Sequence, residues 1–347
     1  MEYAMTKIVY FNVSEIAADY YKKNPLPIDA QTVYLEKSPA DLNEDEINRV
    51  ADADIISVFV HAVDVGARVL SKFPNLKLIA LRSTGYNNVD LAYCREHGIE
   101  VVNVPGYGDS TVAEYTFGLL IDVTRKISRS FRAVQESHVS TDRYLGFDLR
   151  GRTIGIVGTG AIGRYVAKIA KSFDMTLLAF DPYPNEKFAA EYGFKYVSLD
   201  ELLSQSDVIT LHCPLTKENY HLLDDAAFAK MKQGVVIVNT ARGELIDTEA
   251  LYKALSSGKV YGAGLDVLEY ESPLIHDDLY LSAIETHESD TLLRSLINLR
   301  MLQLKNVVIT PHVAFNSIDA VHRILRTADE SIVSFVNGKT INSVLNK

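Results

Sequence analysis

The sequence predicts an α/β fold of two doubly wound parallel-sheet domains separated by a cleft, and three observations carry the prediction. Short β-branched, apolar runs alternate with helical stretches along the chain, the strand–helix–strand order of a sheet wound on both faces. Most runs are apolar at every position rather than at alternate ones, as strands covered by helices on both sides must be. The 347 residues also exceed what one ordinary core fills, so the two series of runs read as two domains.

The first series of strands is expected at residues 8–11, 55–60, 76–81 and 100–104. Pro105-Gly106-Tyr107-Gly108-Asp109-Ser110 then interrupts the pattern and reads as a hinge. A long helix is expected over 112–127, with Ser110 or Thr111 as N-cap and Glu114 in the first turn. The second series falls at 153–157, 176–180, 208–212, 235–239, 261–266 and 307–310. A last helix over 317–337 is expected to return to the first domain. That domain is then discontinuous, 1–107 plus 313–347, around a continuous domain of 108–312. Residues 272–304 fit the pattern least and read as an irregular loop followed by a helix over 292–304.

Bulk properties narrow the function. A net charge of −10 leaves no broad basic surface for nucleic acid. Cys94 and Cys213 make neither a disulfide framework nor a metal-type spacing, so no metal and a reducing, cytoplasmic setting are expected. The first apolar run is too short for a secretory signal and is followed by Glu15 and Asp19. No run approaches the ~20 apolar residues that span a bilayer, so no membrane partner is expected.

The first motif with chemical content is Gly158-Thr159-Gly160-Ala161-Ile162-Gly163, directly after the strand 153–157. It is G-x-G-x-x-G in the strand–turn–helix setting that dinucleotide binding requires, and it makes the domain Rossmann-like. Gly158 makes the tight turn, Gly160 admits the pyrophosphate to the backbone, and Gly163 lets the helix pack on the strand. The next strand ends in Asp181, 18 residues beyond Gly163 and near the ~20 expected. A carboxylate there accepts from the ribose hydroxyls and repels a 2′-phosphate, so the expected cofactor is NAD rather than NADP.

Three later strands end in Arg242, in the segment holding Glu269 and Glu271, and in His312. Ligands of open α/β sheets bind beyond the carboxyl ends of the strands. Arg242 offers a planar fork for a carboxylate and a carbonyl oxygen. His312 can donate a proton near neutral pH, and Glu271 can hold its other ring nitrogen. Singly, each has a plainer explanation: a surface salt bridge, a solvated loop carboxylate, a capping or packed histidine. Their joint placement on a dinucleotide sheet favours the chemistry.

From about residue 76 onward, with a looser fit before it, the chain resembles the D-isomer-specific 2-hydroxyacid dehydrogenases. The resemblance rests on N-x-x-R-G at 239–243, G-x-D-V at 264–267, Pro311-His312, and Arg82-Ser83-Thr84-Gly85-Tyr86-Asn87-Asn88-Val89-Asp90. It implies Arg242, Glu271 and His312 as catalytic residues, choosing Glu271 over Glu269 because the family's Glu stands five residues after the Asp. It implies that Ser83, Thr84 and Gly85 meet the substrate carboxylate. Ala161, Ile162, Cys213, Pro214, Asn219, Thr240, Ala241 and Asp266 would line the cofactor, Cys213 as a packing residue rather than a nucleophile. Tyr107 and Phe315 match the substrate pocket of the D-lactate dehydrogenase branch, and a homodimer through the 112–127 region is implied.

Two departures bear on the substrate. Glu271 and His312 are 41 residues apart, longer than the family's usual spacing, and the strand leading to His61 lacks the aromatic of the lactate branch. The aromatic pocket offers no second cation, and the chain ends at Lys347 without the extra domain of many phosphoglycerate dehydrogenases; both count against a phosphoglycerate substrate. The expected reaction is NADH-dependent reduction of a small 2-oxo acid, pyruvate first, to the D-2-hydroxy acid. A bulkier 2-oxo acid or glyoxylate, and a non-enzymatic corepressor-like NAD-binding protein, are the alternatives. His61 can face the cleft from the first domain, but contact with the substrate is the less favoured reading; His212, at a strand end before Cys213, can flank the cofactor. His97, His138, His221, His276, His287 and His322 are expected at the surface or as caps.

Overall fold

The computed structural model describes residues 5–59, 65–86, 88–137, 142–269 and 289–345, with backbone alone for 289–292. Glu271, His61, His138, His276 and His287 lie outside the described residues, as do Asn87 and the loop expected after residue 271. The chain divides into two compact units, 1–107 with 317–347, and 108–316.

The first unit runs β1 (Thr6–Tyr10), α1 (Glu15–Lys23), β2 (Ala30–Tyr34), α2 (Glu44–Val50), β3 (Ile55–Val58), α3 (Ala67–Leu70), β4 (Leu78–Leu81), α4 (Leu91–Glu96) and β5 (Glu100–Val102). Its strands form a parallel sheet in the order β2-β1-β3-β4-β5. Alternate residues serve opposite faces: Val9, Phe11, Ile56, Val58, Ile79 and Leu81 share one core. Ile8, Tyr10, Ile55, Leu78 and Ala80 share the other, against Leu325 and Ile332. Burying both sides of such strands, at about 1.5–3 kcal/mol per large apolar side chain, explains why the sequence shows continuous apolar runs.

The second unit runs α5 (Asp109–Arg125), α6 (Ile127–Gln135), β6 (Thr153–Val157), α7 (Ala161–Ser172), β7 (Thr176–Phe180), α8 (Glu186–Tyr192), β8 (Lys195–Tyr196), α9 (Leu199–Gln205), β9 (Val208–Leu211), α10 (Asp225–Lys230), β10 (Val235–Asn239), α11 (Thr248–Ser256), β11 (Val260–Leu265), α12 (Ser289–Met301) and β12 (Val307–Ile309). The sheet order is β12-β11-β10-β9-β6-β7-β8, all parallel. The order reverses between β6 and β9, the switch point at which such sheets open a crevice for a ligand.

Helix α13 (Ile318–Val336), capped by the Ser317 hydroxyl, belongs to the first unit. After it the chain rejoins that unit's sheet edge: Val344 N–H donates to the Val101 carbonyl at 3.0 Å, and Ser343 bridges Val102.

Three expectations need correction. Strands β2 and β8 were not foreseen; both are sheet edges, and β2 is half-exposed while β8 is two residues long. Helix α5 begins at Asp109 behind Gly108 with no side-chain cap, so neither Ser110 nor Thr111 is its N-cap. It ends at Arg125 because Lys126 turns left-handed at φ +57°. No described helix is long and apolar enough to cross a membrane.

Candidate active site and cofactor site

At the switch point the glycine turn is shaped by its neighbours. Gly158 has φ +91°, and a Cβ there would stand 2.7 Å from the Cys213 nitrogen, in the chain leaving β9. A Cβ on Gly163 would meet the Gly158 carbonyl oxygen at 2.1 Å, so helix and turn touch backbone to backbone. At Gly160 nothing lies within 4 Å of such an atom. The turn is therefore closed where it packs and open where a pyrophosphate would approach. No side chain caps the N-terminus of the 12-residue α7, leaving its first amides to an anion. These residues fit a dinucleotide.

Asp181 follows β7, and its Oδ2 accepts from the Thr159 N–H at 2.7 Å and the Thr159 hydroxyl at 2.9 Å. Its Oδ1 accepts from the Tyr183 N–H at 2.9 Å. Across the switch point, burial pushes the Cys213 thiol up to about 11, which suits packing and not attack. Asn219 folds the following loop onto itself: its Nδ2 donates to the Pro214 carbonyl at 2.7 Å and its Oδ1 accepts from the Thr216 N–H at 2.7 Å. Burial holds His212 down at about 3, so this ring, bonded to the Thr210 hydroxyl at 2.8 Å, carries no charge at working pH. Ile162 and Ala241 are half-buried and Ala161 is exposed. Thr240 is buried and shares a 2.9 Å bond with Thr116 on α5.

Beyond β10, Asn239 clamps the Arg242 loop at two points. Its Nδ2 donates to the Arg242 carbonyl at 2.8 Å and its Oδ1 accepts from the Ala241 N–H at 3.0 Å. This is the physical reason that the motif opens with Asn. Gly243 closes it: a Cβ there would lie 2.0 Å from the Leu268 carbonyl carbon, so only glycine lets the Arg242 loop rest on the chain leaving β11. The half-buried guanidinium of Arg242 donates to the Ala241 carbonyl at 2.6 Å.

Beyond β12, His312 is half-buried with φ +54°. Its N–H donates to the Asp266 carbonyl at 2.9 Å. The Asp266 carboxylate accepts from the Thr310 hydroxyl, the Val313 N–H at 3.0 Å and the Ala314 N–H at 2.8 Å. Burial raises this carboxyl's pKa, opposed by those donors and by His312. Asp266 thus fixes the turn that presents His312. Phe315 ends this turn, its Cβ 4.0 Å from where a Cβ of Gly108 would stand.

Glu269 is committed elsewhere. Its buried carboxylate accepts from the Tyr220 hydroxyl at 3.0 Å, His221 Nε2 at 2.9 Å, the Thr248 hydroxyl at 2.8 Å and Arg294 at 2.9 Å. Its own carbonyl accepts from Asn298 Nδ2 at 2.7 Å. His221, expected at the surface or as a cap, is instead a member of this network and reaches Asp247 at 3.4 Å. The sequence carried one signal for it: Arg294 and Asn298 stand four apart on the expected helix. His97 does cap, its Nδ1 bonded to the Tyr93 carbonyl at 2.9 Å at the end of α4.

In the first unit, the segment after β4 is held at its root. Ser83 donates to the Gly85 carbonyl at 2.7 Å, Thr84 to Val104 at 2.8 Å, and Asn103 to Thr84 at 2.7 Å. Arg82 before them is buried, with its guanidinium on the Phe11 carbonyl and 5.8 Å from the Phe59 ring centroid. Sequence reading gave Arg82 no such anchoring role. Tyr107 is half-buried, its carbonyl accepting from Arg323 at 2.7 Å.

A dinucleotide sheet with arginine beyond β10 and histidine beyond β12, on either side of β11, is the frame of a nicotinamide-dependent dehydrogenase. The comparisons with known proteins agree. A family model, "D-isomer specific 2-hydroxyacid dehydrogenase, NAD binding domain", matches residues 117–314. A 2-hydroxyacid dehydrogenase homolog of Haemophilus influenzae is 42% identical over 307 residues, 88% of this chain and 89% of that one. D-lactate dehydrogenase of Escherichia coli is 40% identical over 302 residues, 86% of this chain and 88% of that one. The solved structure of D-lactate dehydrogenase from Aquifex aeolicus, complexed with NAD and lactic acid, has a TM-score of 0.82 at 35% identity, over 97% of this chain and 99% of that one. The chain belongs to the D-isomer specific 2-hydroxyacid dehydrogenase family, and its cofactor is NAD.

Proposed function

We propose that this protein reduces a small 2-oxo acid, pyruvate first, to the D-2-hydroxy acid. The observation that carries the reading is the presentation of Arg242 and His312 on separately clamped turns at the carboxyl ends of β10 and β12. The chemistry that bound NADH supplies is a hydride for the carbonyl carbon. Arg242 pairs with the substrate carboxylate and polarises the carbonyl oxygen. The His312 imidazolium gives its proton to that oxygen as the C=O becomes CH–OH, so one hydride and one proton complete the product. Glu271 holds the other ring nitrogen and orients the imidazole. Glu269 is not a substitute, since its carboxylate is taken up by four side chains.

For the cofactor, we assign Gly158, Gly160, Ala161, Ile162 and Gly163 to the pyrophosphate, Asp181 to the adenosine ribose, and Cys213, Pro214, Asn219, Thr240, Ala241 and Asp266 to the lining. The NAD domain, expected over 108–312, corresponds to the compact unit 108–316, and the substrate domain, expected over 1–107 with 313–347, to the unit 1–107 with 317–347. Ser83, Thr84 and Gly85 meet the carboxylate, and Tyr107 and Phe315 limit the substrate side chain. A cytoplasmic homodimer completes the reading. Ile127, Phe131 and Val134 on α6, each more than half exposed, form a strip that a second copy would cover, and both cysteines are free thiols.

The test is NADH oxidation with a panel of 2-oxo acids, NADPH in parallel, and chiral analysis of the product. Pyruvate turnover with NADH giving D-lactate supports the whole reading. Turnover of glyoxylate or larger acids alone keeps the mechanism and removes the lactate branch. Tight NADH binding without turnover of any acid points to the corepressor-like alternative.

A further inference from the structure

Asp181 does not stand alone at the end of β7. Its carboxylate offers about four acceptor positions. Thr159 fills two on Oδ2, through its N–H at 2.7 Å and its hydroxyl at 2.9 Å, and the Tyr183 N–H fills one on Oδ1 at 2.9 Å. The Thr159 hydroxyl also lies 2.8 Å from the Tyr196 hydroxyl. A hydroxyl has one proton to give, and a carboxylate only accepts. Thr159 must therefore donate to Asp181 and accept from Tyr196, which fixes the direction of the chain: Tyr196 to Thr159 to Asp181.

Other contacts hold Thr159 still. The residue is 3% exposed, Arg164 Nε donates to its carbonyl at 3.2 Å, and the preceding Gly158 N–H donates to the Phe180 carbonyl at 2.9 Å. Tyr196, on edge strand β8, in turn packs against Phe194. One acceptor position of Oδ1 remains on Asp181. A ribose hydroxyl can donate to it, whereas a 2′-phosphate has only oxygens to present.

We propose that Thr159 and Tyr196 are specificity-determining positioning residues: their directed hydrogen-bond chain locks the Asp181 carboxylate so that a single acceptor faces the adenosine ribose, selecting NAD(H) over NADP(H). The proposal rests on the assignment of Asp181 to the ribose. It makes the middle residue of G-T-G part of the cofactor filter, at a position the glycine fingerprint leaves unspecified.

The experiment measures dissociation constants of NADH and NADPH by nicotinamide fluorescence and calorimetry, on the full chain, for wild type, T159V, T159S, Y196F and D181N. T159V keeps the backbone N–H and the shape while removing the hydroxyl. A hydrogen bond to a charged group is worth about tenfold in an equilibrium. The NADPH-to-NADH ratio of constants is therefore expected to fall about tenfold in T159V and about threefold in Y196F, with T159S at the wild-type value. Should T159V fail to fold, Y196F, altered at a half-buried edge, carries the test. Wild-type ratios in T159V and Y196F, beside a collapsed ratio in D181N, would overturn the chain and leave the Asp181 assignment standing. A wild-type ratio in D181N would overturn both.

Discussion

His312 holds a left-handed backbone, φ +54°, that a side chain of its kind enters only at a cost of about 1–3 kcal/mol. Asp266 sustains it through bonds to residues 310, 313 and 314. Asn tolerates that conformation better than Ala, so His312→Asn is the sharper probe of the proton donor. It is expected to keep the fold and NADH affinity while kcat falls about 100- to 10,000-fold; wild-type turnover would remove His312 from the chemistry. Arg242→Ala should instead raise KM as well as lower kcat, because it loses ground-state binding of the carboxylate too. Gly243→Ala tests the neighbouring backbone. Its Cβ would stand 2.0 Å from the Leu268 carbonyl carbon. Equilibrium denaturation is expected to show a loss of at least about 2 kcal/mol, with activity lost alongside as the Arg242 loop is pushed off its seat.

At the scale of elements, the Glu269 network joins four pieces of the second unit. They are the loop at 220–221, the start of α11, helix α12 and the chain leaving β11. Its carboxylate is 1% exposed and faces Arg294 and His221, with Asp247 behind both. Removing the acid takes away an acceptor shared by buried donors and the Arg294 guanidinium. Glu269→Ala should therefore cost about 3–5 kcal/mol in chemical denaturation. A loss below ~1 kcal/mol would mean that the network only decorates a fold set by its apolar core. The same scale explains which elements the sequence could show. Strands buried on both faces announce themselves as apolar runs, as β1, β3, β6 and β10 do. The edge strand Ala-Gln-Thr-Val-Tyr is half-exposed, mixes polar with apolar residues and carries no period that separates it from a loop.

At the scale of the molecule, the last helix returns to the first strand. The Tyr10 hydroxyl donates to Asp329 Oδ1 at 2.9 Å across 319 residues of chain. Burial raises the Asp329 carboxyl to about 7, overcoming the Tyr10 hydrogen bond and the Arg82 charge that oppose it, with Glu330 adding to the rise. An unfolded Asp titrates near ~4. Between those values the native state holds a proton that the unfolded state has released. The associated stability is complete below pH ~4 and lost as pH rises through about 7. The slope is at most about 1.4 kcal/mol per pH unit. Asp329→Asn is expected to flatten that part of the stability–pH curve and to gain stability at pH ~8. An unchanged slope in the variant would assign the pH dependence to other groups.

By itself, the sequence determined the parallel α/β class, the glycine turn with Asp181 at the next strand's end, and the N-x-x-R-G and Pro-His segments. Each of these is local: a period, a spacing or a backbone requirement carried within about 30 residues. Tertiary structure alone decided which groups those residues meet. That Asp266 braces the His312 turn, that Glu269 is consumed by four donors, and that Thr159 is held between Tyr196 and Asp181 all depend on contacts between distant segments. Apolar burial leaves a periodic trace in sequence, whereas a buried polar group takes its partner from whatever the packed fold brings within reach.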